Sequence, residues 1–301
     1  MNILKIASTS FAVLTISTIV ACAEPQTSQS ESKTENVDSL EMAATSAIKP
    51  DENYYPIPSP EEMFEFIKAN QLKYDPSKVM KNDISSFLSE QQKAIAFGMF
   101  STNLAYVASF EDFQKSITYY KTIRQLGIDL GIEGAVSDKT MNNIQANLDQ
   151  PDSLMKIVNN SYRESVEFLE NNRRGNIMAI IAASGWIESM HIVLSSIPKY
   201  DESNPVMQRI ADQKLIFGNL LAYLKMHSDD EMVLETMETI SPVRDVFLGF
   251  EEIKVGKVTN EKKGKKLILG GGTKIYMSAD QFKELKASVE QVRKSMLNES
   301  I

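Results

Sequence analysis

Helix-start signals recur so densely between residues 59 and 250 that this chain can fold into little except a set of packed helices. Ser59-Pro60-Glu61-Glu62 combines an N-cap serine, a proline in the first turn and a capping-box glutamate. Ser89-Glu90-Gln91-Gln92 and Ser228-Asp229-Asp230-Glu231 repeat the box, while Asn204-Pro205 and Ser241-Pro242 read as a cap followed by proline. Between these signals apolar residues recur at helical spacing, as in Phe113, Ile117, Tyr120, Ile123, Leu126 and Leu130, with Gly131 as the stop. The pattern predicts an all-α body, a bundle of about nine to eleven helices joined by short loops.

One stretch breaks the rhythm. Ile253-Lys254-Val255, Leu267-Ile268-Leu269 and Ile275-Tyr276-Met277 are short β-like runs around glycine-rich turns, and they predict a small hairpin. Ser278-Ala279-Asp280-Gln281 then caps a C-terminal helix that runs to about Leu297. Small residues one turn apart, at Ala94/Gly98, Ala179/Ala183 and Gly218/Ala222, predict close helix packing inside the core. No internal repeat keeps a register at the periods of helical arrays.

The N-terminal segment follows different rules. Residues 1–21 carry Lys5, a short apolar core from Ile6 to Val20, and the small Ala21 before Cys22. Ile6 to Ala23 is about long enough to span a bilayer. Against a span stand six hydroxyls (Ser8, Thr9, Ser10, Thr15, Ser17, Thr18) and a following acidic stretch with no basic anchor. These features predict a removable export signal. Cys22 is the only cysteine, so no intramolecular disulfide is available to it. Ile19-Val20-Ala21-Cys22 resembles a bacterial lipobox, in which the thiol takes a diacylglyceryl group and the chain is cut just before it. The expected form is a lipoprotein with an acylated Cys22, carrying palmitate-type chains in the membrane. Ala23 is not the aspartate that retains such proteins at the inner membrane, which favours the cell outer membrane. A body facing the periplasm and one facing the exterior are both compatible with the sequence.

Residues 22–50 read as the acylated cysteine and a disordered tether, because a Ser-, Thr-, Gln- and Glu-rich composition cannot bury enough apolar surface to offset ordering entropy. A flexible chain of this length spans roughly 30 Å. Asp38-Ser39-Leu40 within it resembles a short bacterial O-glycosylation acceptor. Residues 51–301 read as a single helical domain, long enough for one sizeable core. Removal of residues 1–21 takes Lys5 and no acid, which moves the net charge from −8 to −9. Such a balance argues against a nucleic-acid partner.

Candidate chemistry is sparse. His191 and His227 are the only histidines. Glu188 and His191 form a Glu-x-x-His pair that shares one helix face, but Leu224 stands where His227 would need its glutamate, so the second pair of a di-metal bundle is missing. No Gly-x-Ser-x-Gly or His-Glu-x-x-His motif occurs, and no metal or cofactor is implied. Gly270-Gly271-Gly272-Thr273-Lys274 reads as a hairpin turn rather than a phosphate loop. Lys262, Lys263, Lys265 and Lys266 form the one basic cluster, a solvated tip or a contact for an anionic envelope protein, polysaccharide or headgroup. Trp186 and Glu188 follow a stretch of small residues. If buried, Glu188 needs a partner, and Arg173 and Arg174 lie too far along the same helix to serve. The expected role of Glu188 is a structural polar contact. The alternative is a ligand pocket formed by Tyr106, Trp186 and Glu188, with His191 beside them.

"FGMFSTNLAYVASF" (97–110), "LGIDLGI" (126–132) and "SGWIESMH" (184–191) resemble a family of mainly helical lipoproteins of Bacteroidota-type bacteria. The resemblance spans about residues 90–200. It implies a helical fold and a bacterial envelope source, and it implies no activity. Asn103 stands where the family pattern usually has an acid, and His191 where it has an aromatic residue. Together these features lead to a membrane-anchored, non-enzymatic envelope protein that binds a partner. A pocketed binding protein or enzyme centred on Tyr106, Trp186 and Glu188 is the alternative.

Overall fold

Two helices among the described residues are apolar on every side, and the fold is arranged around them. A computed structural model describes residues 60–298, apart from 71, 148–149, 256–259, 264–265 and 270–271. The expected signal, Cys22, the expected tether, Ser59, Lys265 and the Gly270-Gly271 pair therefore lie outside the described residues. Helix α2 (Glu90–Ser109) and helix α6 (Gly175–Ser196) carry almost no polar stripe, and a helix without one has no face to give to water. They pack along each other as the central pair. By length and composition α6 could cross a membrane, with a mean hydropathy of 1.7, but 94% of that window is buried within the fold. It is a core helix.

The remaining helices have apolar stripes and lie around this pair. In chain order they are α1 (Pro60–Ala69), α3 (Phe113–Asp129), α4 (Asp138–Ala146), α5 (Pro151–Asn171), α7 (Pro205–Met226), α8 (Glu231–Thr239), α9 (Ser241–Leu248) and α10 (Ala279–Met296). Helix α10 shows the pattern well. Phe282, Leu285, Val289, Val292 and Met296 are buried at three- and four-residue steps, and this stripe lies against α6 and α9. The described residues thus form ten α-helices with a small β element before the last, a mainly α bundle as the sequence predicts.

Capping chemistry sets most boundaries. Ser89 and Ser278 both form complete capping boxes, with Gln92 and Gln281. Asn204 caps α7 through the backbone N–H of Val206. Two expected starts differ in detail. Asp230, not Ser228, caps α8, because the Ser228 hydroxyl donates to the Lys225 carbonyl at the end of α7. Ser241 lies inside α9, whose cap position is taken by Ile240. Helix α3 ends at Gly131, whose φ of +66° lets Ile132 donate to the Gly127 carbonyl at 2.8 Å and close the helix end.

The close packing expected of small residues holds at Gly98, where any Cβ would strike the Ile181 carbonyl and the Ser184 hydroxyl of α6. Gly218 has no atom within 4 Å of its Cβ position, so there the small residue has no packing role. The β element is larger than one hairpin. Strand β1 (Glu251–Val255) pairs antiparallel with β4 (Gly272–Tyr276), and β2 (Asn260–Lys263) pairs with β3 (Lys266–Leu269) nested between them in sequence. The polar β2 has no apolar alternation, so the sequence did not mark it as a strand.

Candidate functional site

Glu188 lies in the middle of the apolar α6 with no exposed surface, so its charge must be met by neighbours. The partner comes from α10. Arg293 donates from Nε to Glu188 Oε2 at 2.6 Å and from Nη2 to Oε1 at 3.3 Å. The Arg293 side chain is itself only 12% exposed. From α2, Asn103 Nδ2 donates to Glu188 Oε1 at 3.0 Å and to the Met99 carbonyl at 2.8 Å. Asn103 Oδ1 accepts from the Met80 backbone N–H at 2.9 Å, and the Met80 carbonyl accepts from Tyr119 at 2.6 Å. The polar chain runs from α10 through α6 and α2 to the loop before α2 and on to α3. Burial first, and then the charges of Glu188 and Asp112, push the Tyr119 phenol up to about 12, so it stays a neutral donor.

His191 stands one turn after Glu188 on the same face. Its Nδ1 lies 2.8 Å from Oε2 of Glu290, one turn before Arg293 on the antiparallel α10. Two polar contacts, 188 with 293 and 191 with 290, therefore fix the register of α10 on α6. Burial is the main cause that holds the imidazole below its ordinary value, aided by the Arg293 charge and opposed by Glu188 and Glu290. His191 is thus neutral in the fold at neutral pH, and its Nδ1–H donates to the carboxylate.

The structure does not bring Tyr106, Trp186 and Glu188 into one pocket. Trp186 and Glu188 are two residues apart, about 200° around a helix, so they face opposite sides of α6. Trp186 donates from Nε1 to Gln213 Oε1 at 3.0 Å and packs on Phe217 and Phe247 with ring centroids at 4.6 and 5.9 Å. Tyr106 sits in a third place, among Phe64, Tyr74 and Phe110. Its hydroxyl accepts from the Asp75 backbone N–H at 3.0 Å. His227 lies over Gly175 at the start of α6, edge-on to Tyr223. Among the described residues no group of His, Cys, Asp and Glu is placed to hold a metal ion. Lys262, Lys263 and Lys266 fall on the β2–β3 pair, with Lys263 opposite Lys266.

Sequence reasoning missed Arg293 and Asn103 as partners of Glu188, since 105 and 85 residues separate them along the chain. It also missed a groove beside α7. A cavity of about 40 Å³ between α2, α3, α5 and α6 is walled by apolar side chains such as Phe97, Leu104, Ile123 and Ile181. It has room for a water or two and no more. An open groove of about 370 Å³ lies between the start of α7 and strand β4. Its walls carry Tyr200, Tyr276, Glu202 and Asp212, and buried Met207, Ile275 and Met277 lie beneath. Comparison with protein-family models, curated proteins and solved structures finds no match to this chain.

Proposed function

We propose that this protein is a lipid-anchored bacterial envelope lipoprotein, of the helical Bacteroidota-type family it resembles, whose body binds a partner without catalysing a reaction. The observation that carries the reading is the single thiol placed after Ile19-Val20-Ala21, where an apolar run gives way to polar residues. Acyl chains on Cys22 hold the protein to the outer membrane at about 0.8 kcal/mol per buried CH2, and two or more chains make the anchorage stable. The polar residues 23–50 then serve as a tether. Binding rather than catalysis is supported by the side chains of acid–base type: Glu188 is fully buried against Arg293, and the partly buried His191 is engaged by Glu290. The acidic net charge turns nucleic acid away and suits an envelope protein or polysaccharide partner.

The test is Cys22→Ser in the native host. The variant is expected to take up no labelled palmitate and to remain as unprocessed precursor. Mature, detergent-phase protein from this variant would remove the anchor from the proposal. Affinity capture from the native envelope, with Cys22→Ser as control, then reads the partner.

A further inference from the structure

From the groove between α7 and β4, we infer that the body carries a binding site for a neutral saccharide. At about 370 Å³ the groove falls within the size range of small-ligand sites. Its two aromatic rings come from different elements. Tyr276 ends β4 and is 39% exposed. Tyr200 precedes α7, its hydroxyl donates to the Met277 carbonyl at 2.7 Å, and its ring packs on Phe282. The phenol is thus spent on the scaffold and the ring is held in place, so what it offers a ligand is an apolar face. The C–H face of a pyranose is the complement of such a surface.

The polar groups around the rings are those that read hydroxyls. Asp212 accepts from Gln208 Nε2 at Oδ1, which leaves Oδ2 as an acceptor, and Gln208 Nε2 also donates to the Ile275 carbonyl of β4, which leaves its Oε1. Asn204 spends Oδ1 on the α7 cap and keeps Nδ2 as a donor. Glu202 adds a carboxylate and Lys274 an ammonium. The lining therefore holds both acceptors and donors, which suits a ligand whose every hydroxyl both gives and takes a hydrogen bond. The loop that presents Glu202 is held by Asp201, whose Oδ1 accepts from both the backbone N–H and the hydroxyl of Ser203. One end each of Asn204, Gln208 and Asp212 is committed to the fold, so the other end is oriented before the ligand arrives.

Charge selects among ligand classes. Two carboxylates against one ammonium repel phosphate, sulfate and acidic glycans, and the body as a whole is acidic. The Lys274 ammonium on the same wall offsets one of the two carboxylates, so the pull on an amine or quaternary ammonium ligand is weak. A neutral sugar meets no such repulsion and needs no such pull. The site lies in the body, away from Glu188 and independent of Cys22, so its failure and that of the anchor are read separately.

The experiment uses the full chain, purified in a detergent without a sugar headgroup, against an array of neutral oligosaccharides built from glucose, mannose, galactose and N-acetylglucosamine. A hit is quantified by titration calorimetry. The expected result is binding of at least one of them, weakened tenfold or more by Tyr276→Ala and by Glu202→Ala. Both residues are exposed, so the melting temperatures of the variants should match the parent. Three results overturn the inference. They are no binding of any array member at millimolar concentration, binding that both variants leave intact, and binding of tetramethylammonium or an acidic glycan in preference to every neutral sugar.

Discussion

Replacing Glu188 with glutamine separates shape from charge at the centre of the bundle. Glutamine keeps an oxygen for Asn103 Nδ2 or Arg293 Nε, so hydrogen-bond geometry alone would make it nearly neutral. The partner, however, is a guanidinium with a side chain only 12% exposed, and arginine cannot shed its proton. Removing one member of a buried pair costs about 3–5 kcal/mol. Because Arg293 keeps some access to water and glutamine keeps one acceptor, Glu188→Gln is expected to cost about 2–4 kcal/mol, a fall in melting temperature of roughly 5–15 °C for a body of this size. Glu188→Leu should reach the upper end or beyond. The double variant Glu188→Leu/Arg293→Met removes both charges and should recover most of the loss, since a packed apolar pair replaces a buried ion pair at little cost. The assay is urea unfolding followed by helical circular dichroism, with stability extrapolated to water. A Glu188→Gln protein within about 0.5 kcal/mol of the parent would refute the argument. So would a double variant that loses the full sum of the two single losses.

His191 gives the interior a pH dependence of defined sign. Its ordinary value is 6.5 and the fold lowers it, through burial and Arg293 against the opposing pull of Glu188 and Glu290. The unfolded chain therefore takes up the proton first as pH falls, and the fold loses stability through and below the ordinary value. Urea midpoints at pH 7.5 and pH 5 should differ less in His191→Gln than in the parent, and equal differences would show that this imidazole is not the source. Gly98→Ala should destabilise by about 1–3 kcal/mol, because the obstructing atom is the Ile181 backbone carbonyl, which cannot swing aside. Gly218→Ala, with open space at its Cβ inside an exposed turn of α7, should instead gain about 0.5–1 kcal/mol. Thermal melts of the pair check both signs at once, and matching shifts would refute the packing assignment.

How much of this protein its sequence dictates follows from which interactions are local. Capping boxes at Ser89 and Ser278, the stop at Gly131 and the stripe of α10 depend on residues within a turn or two of one another, so a helical bundle with a β excursion before its last helix is legible without coordinates. The apolar run before Cys22, from which an export signal is proposed, is a local pattern too. Even the separation of Trp186 from Glu188 follows from helix geometry, since a two-residue step reverses the face. What pairs across the fold is not written locally. Nothing near Glu188 in the chain names Arg293, because any charged residue on a later amphipathic helix could have supplied the cation. The choice falls to the register in which α10 lies on α6, and that register is set jointly by the apolar stripe of Phe282, Leu285, Val289 and Val292 and by the 191–290 and 188–293 contacts. The α7–β4 groove is likewise a product of tertiary structure. Tyr200, Asp212 and Tyr276 sit apart in the sequence with no shared spacing, and only the docking of β4 against α7 turns ordinary surface residues into the walls of one site.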